Sequence, residues 1–73
     1  MDGYVWYVIM RSKDGKNYAH AFRLRRNENL VPFIQNYPDI VTMNPCSTKE
    51  YARGLVQAWN ESFKENGTYM FAD

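Results

Sequence analysis

Residues 47–67 constrain the fold most strongly, because their pattern predicts an amphipathic helix that needs an apolar surface beneath it. At about 100° per residue, the apolar side chains fall on one stripe of such a helix. The stripe comprises Ala52, Leu55, Val56, Trp59 and Phe63, with Tyr51 and Ala58 beside it and Lys49, Arg53, Gln57, Asn60, Glu61 and Lys64 on the other side. We therefore expect the large rings of this stripe to lie in the core.

The ends of this helix carry capping signals. Ser47 and Glu50 have the spacing of a capping box, in which each side chain accepts a hydrogen bond from the other residue's N–H group. Gly67 is placed to adopt the left-handed conformation that ends many helices. Gly54 is the exception, since a glycine inside a helix costs about 1 kcal/mol relative to alanine. It falls away from the stripe, which favours a tolerated surface glycine over a position where a partner approaches closely.

The first 26 residues predict the surface on which this helix packs. Residues 4–10 are apolar or aromatic throughout, and residues 18–25 alternate between large apolar and small or charged side chains. Between them, residues 12–16 contain Asp14-Gly15, a strong turn signal. The pattern predicts a β-hairpin.

Two registers of this hairpin are open. A two-residue Asp14-Gly15 loop sets Tyr7 opposite Phe22, whereas a three-residue loop with a bulge sets Trp6 opposite Phe22. The registers differ by one residue, so they exchange the face of the first strand that meets the apolar face of the second.

The remaining segments complete an α+β domain with the order β-β-α-β-α. Residues 30–36 predict a short helix with Pro32 in its first turn, and residues 40–43 predict a third strand that ends at Asn44-Pro45. The simplest sheet has three antiparallel strands in the order 2-1-3, covered on one face by the long C-terminal helix. Its other face either stays open or is covered by the short helix and residues 68–71. With 73 residues, we expect one domain over residues 1–73.

Composition excludes several classes of site. One cysteine, Cys46, rules out an internal disulfide and a cysteine-rich zinc site. There is no cluster of metal-ligating residues and no glycine-rich phosphate loop. We therefore expect no catalytic residue, no cofactor and no metal. We also expect that the chain is not an enzyme. Without a secretion signal or membrane span, we expect a cytoplasmic protein that does not enter a membrane.

Cys46 is the one candidate nucleophile. It precedes the long helix, where the helix terminus lowers a thiol pKa, and His20 would serve as its base. Nothing in the sequence places the two side chains together. The favoured interpretation is that Cys46 packs against Tyr51 as a hydrophobic staple.

Charge is unevenly distributed along the chain. Residues 1–26 hold six Lys/Arg and two Asp, a net charge of +4, whereas residues 27–73 hold three Lys/Arg and six Asp/Glu, a net charge of −3. Basic side chains interleaved with aromatic ones on a sheet can hold single-stranded nucleic acid. The candidate contacts are Arg11, Lys13, Lys16, Arg23, Arg25 and Arg26.

Residues 11–19 together with residues 48–70 resemble small uncharacterised bacterial proteins of similar length, some of them encoded by phage or mobile elements. This resemblance implies no activity and no site. The hairpin-then-helix outline is also similar to the partial RNase-H-like fold of small antitoxins, an analogy of fold alone. The present chain departs from that outline by inserting residues 30–36 between the second and third strands.

Taken together, these patterns predict a small protein-interaction module whose partner is another protein or a second copy of itself. The apolar surplus in the first strand suggests a homodimer formed through a sheet face or an edge strand. The alternative is single-stranded nucleic-acid binding through the basic, aromatic hairpin of residues 4–26.

Overall fold

Three strands and two helices follow one another in the computed structural model, which describes residues 3–71. Strand β1 is central and pairs antiparallel with both neighbours, in the order β2-β1-β3. The elements are β1 (Tyr4–Lys13), β2 (Lys16–Arg25), α1 (Val31–Asn36), β3 (Ile40–Cys46) and α2 (Lys49–Glu65). The predicted α+β fold, its element order and its strand order are confirmed.

A two-residue turn sets the register of the β1–β2 hairpin. Asp14 and Gly15 have φ values of 55° and 78°, the left-handed pair that a type I′ turn requires. The turn pairs Lys13 with Lys16 and Tyr7 with Phe22. Of the two open registers, the structure therefore adopts the two-residue loop.

Helix α2 packs on one face of the sheet. Val8, Cys46 and Ala52 are buried there and form the centre of the core, and Ala52 is the member that the predicted α2 stripe supplies. The large rings of the stripe, Trp59 and Phe63, are half-buried rather than fully in the core. The partly buried side chains packed against them are Trp6, Ala21, Leu55, Val56 and Trp59. Burial of the α2 stripe is what fixes this helix on the sheet.

The N-terminal cap of α2 differs from the predicted capping box. The hydroxyl of Thr48 accepts a hydrogen bond from the N–H group of Tyr51 at 3.0 Å. The predicted cap at Ser47 is wrong, because the helix begins one residue later and the third helical position is Tyr51 instead of Glu50. Glu50 still lies in the first turn, where its negative charge suits the helix dipole.

The C-terminal end of α2 is capped as predicted. Gly67 has a φ of 72°, and its N–H group donates to the carbonyl of Lys64 at 3.2 Å. The N–H group of Thr68 donates to the carbonyl of Phe63 at 2.8 Å. These two bonds form a Schellman motif, which satisfies the last carbonyls of the helix.

The opposite face of the sheet is covered, so the open-face alternative is wrong. Phe33 of α1 stacks on Phe22 with ring centroids 4.3 Å apart. After α2 the chain turns back, and Phe71 contacts Tyr18 edge-on at 4.7 Å. Beneath this layer, Ile9 is fully buried.

The outer edge of β2 is paired by its own chain. The side-chain amide of Asn60 accepts from the Ala19 N–H group at 2.8 Å and donates to the Ala19 carbonyl at 3.0 Å. Asn17 likewise bonds to the backbone of Thr68 and Met70. The sequence pattern assigns Asn60 only to the polar side of α2, and the structure shows that its amide completes the backbone hydrogen bonds of an edge strand.

The outer edge of β3 is interrupted rather than paired. The strand continues to Cys46, so the prediction that Asn44-Pro45 ends it is wrong. Pro45 is tolerated because it pairs opposite Tyr7 at a position where its missing N–H would point away from β1. A register shift opposite Met10/Arg11 leaves Val41 as an extra, bulged residue.

Candidate functional site

The six basic residues predicted to contact nucleic acid lie in two groups at opposite ends of the hairpin. Nine residue steps separate Lys13 from Tyr4, which at the rise of a β-strand is about 30 Å. The group at the turn comprises Arg11, Lys13 and Lys16, and the group at the open end comprises Arg23, Arg25 and Arg26. The structure does not bring these six side chains into one surface.

Two of the three cations near the turn are engaged within the chain. The Arg11 Nε atom lies 3.1 and 3.0 Å from the two carboxylate oxygens of Asp39, and the Arg11 guanidinium lies 5.0 Å from the centroid of the Tyr37 ring. Hydrogen bonding to Arg11 lowers the pKa of Asp39. The ammonium of Lys16 donates to the carbonyl of Gly67 at 3.0 Å. This end of the hairpin is therefore held to α2 and the α1–β3 connection.

The open end of the hairpin forms a pocket with the first turn of α2. Its volume is about 480 Å³, and we call it the hairpin-base pocket. It is lined by Tyr4, Trp6, Arg23, Arg26 and Lys49, with Val5 and Cys46 to Thr48 and Glu50 completing the wall. The strand alternation and the position of α2 together place these aromatic and basic side chains around one opening.

The cations of the hairpin-base pocket are held by aromatic rings rather than by carboxylates. The guanidinium of Arg23 lies 4.4 Å from the centroid of the Tyr4 ring, and the ammonium of Lys49 lies 5.9 Å from that of Trp6. Arg26 donates to the backbone carbonyl of Tyr4 at 3.4 Å. Within residues 3–71, no carboxylate lies at salt-bridge distance from these three cations. The pocket can therefore attract an anion.

Sequence reasoning missed Lys49 as a member of this group. It lies 23 residues beyond Arg26, on a helix whose position beside Trp6 depends on the tertiary packing. The only signal in the sequence is its location in the first turn of α2, where a cation opposes the helix dipole.

Cys46 and His20 do not form a catalytic pair. Cys46 is 7% exposed on the α2 side of the sheet, whereas His20 pairs with Ile9 on the opposite face. Burial raises the pKa of the Cys46 thiol, the opposite of what a nucleophile at neutral pH needs. The predicted staple is also wrong, since Cys46 packs against Ala52 and Tyr51 is largely exposed.

His20 lies in a row of aromatic side chains on β2. Its ring stacks on Tyr18 with centroids 4.9 Å apart, and its Nε2 atom is buried without a hydrogen-bond partner among the described residues. Burial, and to a smaller extent the charge of Arg11, lowers the His20 pKa, while Asp39 opposes this shift. Residues 3–71 contain no cluster of three or more His, Cys, Asp or Glu that could hold a metal ion.

A second surface lies along α1 and β3, and we call residues 29–46 the charge-poor flank. At the chain average of 23% charged residues, these eighteen positions would carry about four charges, but they carry only Asp39. That carboxylate is paired with Arg11. The flank nevertheless exposes large apolar side chains: Val31 (54%), Ile34 (44%), Tyr37 (37%) and Val41 (60%).

Four of the six exposed large apolar side chains within residues 3–71 thus fall in the charge-poor flank. Large exposed apolar patches are unusual on a monomeric protein, which makes this flank a candidate contact surface. The apolar surplus of β1, from which the sequence pattern predicts a dimer contact, lies in the central strand instead, where Val8 and Ile9 are fully buried. The lack of charge over residues 29–46 was the available signal.

Neither helix in the described part of the chain is long and apolar enough to cross a membrane. In comparisons with protein-family profiles, curated proteins and solved structures, the chain had no significant match.

Proposed function

We propose that this chain is a small protein-interaction module that forms a homodimer through the charge-poor flank. The observation that carries the proposal is the concentration of exposed apolar side chains in residues 31–41, where the only charge is neutralised by Arg11. Burying such side chains against a partner is favourable by about 25 cal/mol per Å² of apolar surface. The proposed setting is the cytoplasm, which suits the buried, reduced thiol of Cys46.

A second copy suits this surface for an electrostatic reason. In a two-fold dimer the same patch meets itself, so any unpaired charge would face its own copy. The charge-poor flank has no unpaired charge to oppose in this way. The net charge of +1 also gives little long-range repulsion between copies.

The proposed contact uses side chains rather than strand addition. The edge of β2 is already bonded at Asn17 and Ala19 by the tail and by Asn60. The edge of β3 is interrupted by Pro45 and by the bulge at Val41, two devices that discourage pairing with another strand. The bulge also contributes to the surface, because Val41 is the most exposed apolar side chain of the flank.

Sedimentation velocity over a concentration series tests the proposal. Wild-type chain is expected to shift from monomer to dimer as concentration rises. In Val41→Glu, a carboxylate on the flank would lose its water when the two copies meet, so the dissociation constant is expected to rise about ten-fold or more.

Tyr51→Glu is the matched control, because Tyr51 is 57% exposed on α2 and lies outside the charge-poor flank. It makes the same change from an exposed ring or alkyl group to a carboxylate and is expected to dimerise like wild type. A wild-type chain that remains monomeric at millimolar concentration would contradict the proposal. So would equal weakening by Val41→Glu and Tyr51→Glu.

A further inference from the structure

The hairpin-base pocket carries a separate inference, independent of the self-association proposed above. Its walls come from β1, β2 and α2, so its shape is set by the packed core and not by a single loop. A volume of about 480 Å³ falls in the range of pockets that hold small organic ligands, roughly 300–1,000 Å³. The question is which ligand chemistry this lining would recognise.

The basic side chains define one part of the ligand. Arg23, Arg26 and Lys49 line the opening, whereas Glu50 is the one carboxylate that residues 3–71 contribute to the wall. Guanidinium groups match phosphate oxygens with pairs of parallel N–H bonds, and a lysine ammonium adds a mobile positive charge. Within residues 3–71 these three cations have no carboxylate partner. Like charges around one opening repel one another, and a phosphate group would reduce that repulsion.

The aromatic side chains define the other part. Tyr4 and Trp6 form the β1 wall, and the Arg23 guanidinium lies over the Tyr4 ring, 4.4 Å from its centroid. Aromatic rings and guanidinium planes are the surfaces on which nucleic-acid bases stack. A ligand that joins a phosphate to a flat base would use both halves of the lining.

We propose that the hairpin-base pocket binds a nucleotide through its phosphate and its base, either free or within a single strand. Arg23 and Lys49 bind the phosphate, and Tyr4 and Trp6 form the wall beside the base. This assigns to the open end of the hairpin a role that the turn end, with Arg11 and Lys16 engaged elsewhere, does not share.

Binding to the full chain is tested with two probes at low salt. The first is a fluorescein-labelled single-stranded oligouridine ten nucleotides long, whose binding is measured by fluorescence anisotropy. The second is adenosine monophosphate, whose binding is measured by changes in the amide chemical shifts of the chain. Shifts confined to the pocket are expected for the mononucleotide. Binding of the oligonucleotide is expected to weaken as salt rises. Tight binding of the oligonucleotide alone would identify a single strand as the ligand, whereas equal binding of both probes would identify the free nucleotide.

Three charge-reversing variants locate the site. Arg23→Glu and Lys49→Glu are each expected to weaken binding at least ten-fold. Lys49→Glu is the safer variant for folding, since an acidic residue in the first turn of α2 suits the helix dipole. Lys13→Glu is the matched control at the turn end, about 30 Å away along the strands, and is expected to change affinity less than two-fold.

The proposal is overturned if neither probe binds at low salt. It is also overturned if Lys13→Glu weakens binding as much as Lys49→Glu, because binding would then follow net charge and not the pocket. A poly-glutamate peptide that competes as well as unlabelled oligouridine would likewise reject a nucleotide as the ligand.

Discussion

The ring of His20 couples the stability of this chain to pH. In the folded chain its pKa lies below the ordinary value of 6.5, because the ring is partly buried beside Tyr18 and near the charge of Arg11. The unfolded chain therefore binds a proton on this ring at a higher pH than the folded chain does. Stability is at its full value above pH 6.5 and falls as the pH drops through that value.

We predict that the free energy of unfolding, measured in urea, decreases between pH 7 and pH 5. His20→Phe keeps a ring between Tyr18 and Phe22 but cannot take up a proton, so its stability should be nearly constant over this range. Asp39 does not contribute to the pH dependence between pH 7 and pH 5. Its pKa in the folded chain is lowered from 3.8, so the stability that its ionised form contributes is lost only at lower pH. An unchanged pH dependence in His20→Phe would show that another group is responsible.

A single amide, that of Asn60, connects α2 to the edge of β2. It satisfies both the N–H and the carbonyl group of Ala19, which is 1% exposed. Asn60→Ala would leave these groups without partners, so we predict a loss of about 1–3 kcal/mol in the free energy of unfolding. Gln57→Ala is the control, because the Gln57 amide reaches only Glu61 on the exposed side. A near-neutral Asn60→Ala would mean that water replaces the amide at this edge.

Within α2, Gly54 lowers the stability of the helix, and no neighbouring segment packs closely enough against it to require a glycine. A β-carbon built at this position meets no heavy atom within 4 Å, and the residue is exposed. We therefore predict that Gly54→Ala raises the free energy of unfolding by about 0.5–1 kcal/mol in urea. If Gly54→Ala instead lowered the free energy of unfolding, measured at a micromolar concentration of the chain, the backbone at Gly54 would have to depart from a regular helix.

At the scale of these elements, local patterns in the sequence were enough to predict most of the fold. The stripe of α2, the Asp14-Gly15 turn and the Gly67 cap each follow from a period or a backbone requirement that a few neighbouring residues carry. They give the element order and, through the apolar character of β1, the strand order.

What the sequence could not predict depends on contacts between distant segments. Asn60 looks like any polar residue on the exposed side of a helix until the edge of β2 is placed beside it. Pro45 looks like a strand terminator until β3 is known to be an edge. The hairpin-base pocket needs the same information, because Lys49 joins Arg23 only once α2 has packed.

Across the whole molecule, charge and apolar exposure are separated. Within residues 3–71, three cations without a carboxylate partner line the hairpin-base pocket, while the charge-poor flank carries most of the exposed large apolar side chains. The +4 charge of residues 1–26 alone suggested a basic hairpin, but the fold divides that charge between the two ends of the hairpin and pairs Arg11 with Asp39. Two surfaces with different chemistry result, one suited to an anion and one to an apolar partner.

The central claim is that the charge-poor flank is where two copies meet. Isotope-filtered nuclear Overhauser spectra on an equal mixture of ¹³C-labelled and unlabelled chain would test it directly. We predict contacts between copies from the methyl groups of Val31, Ile34 and Val41. A spectrum without contacts between copies at millimolar concentration, or with contacts only from the outer side of α2 at Ala58, would contradict the claim.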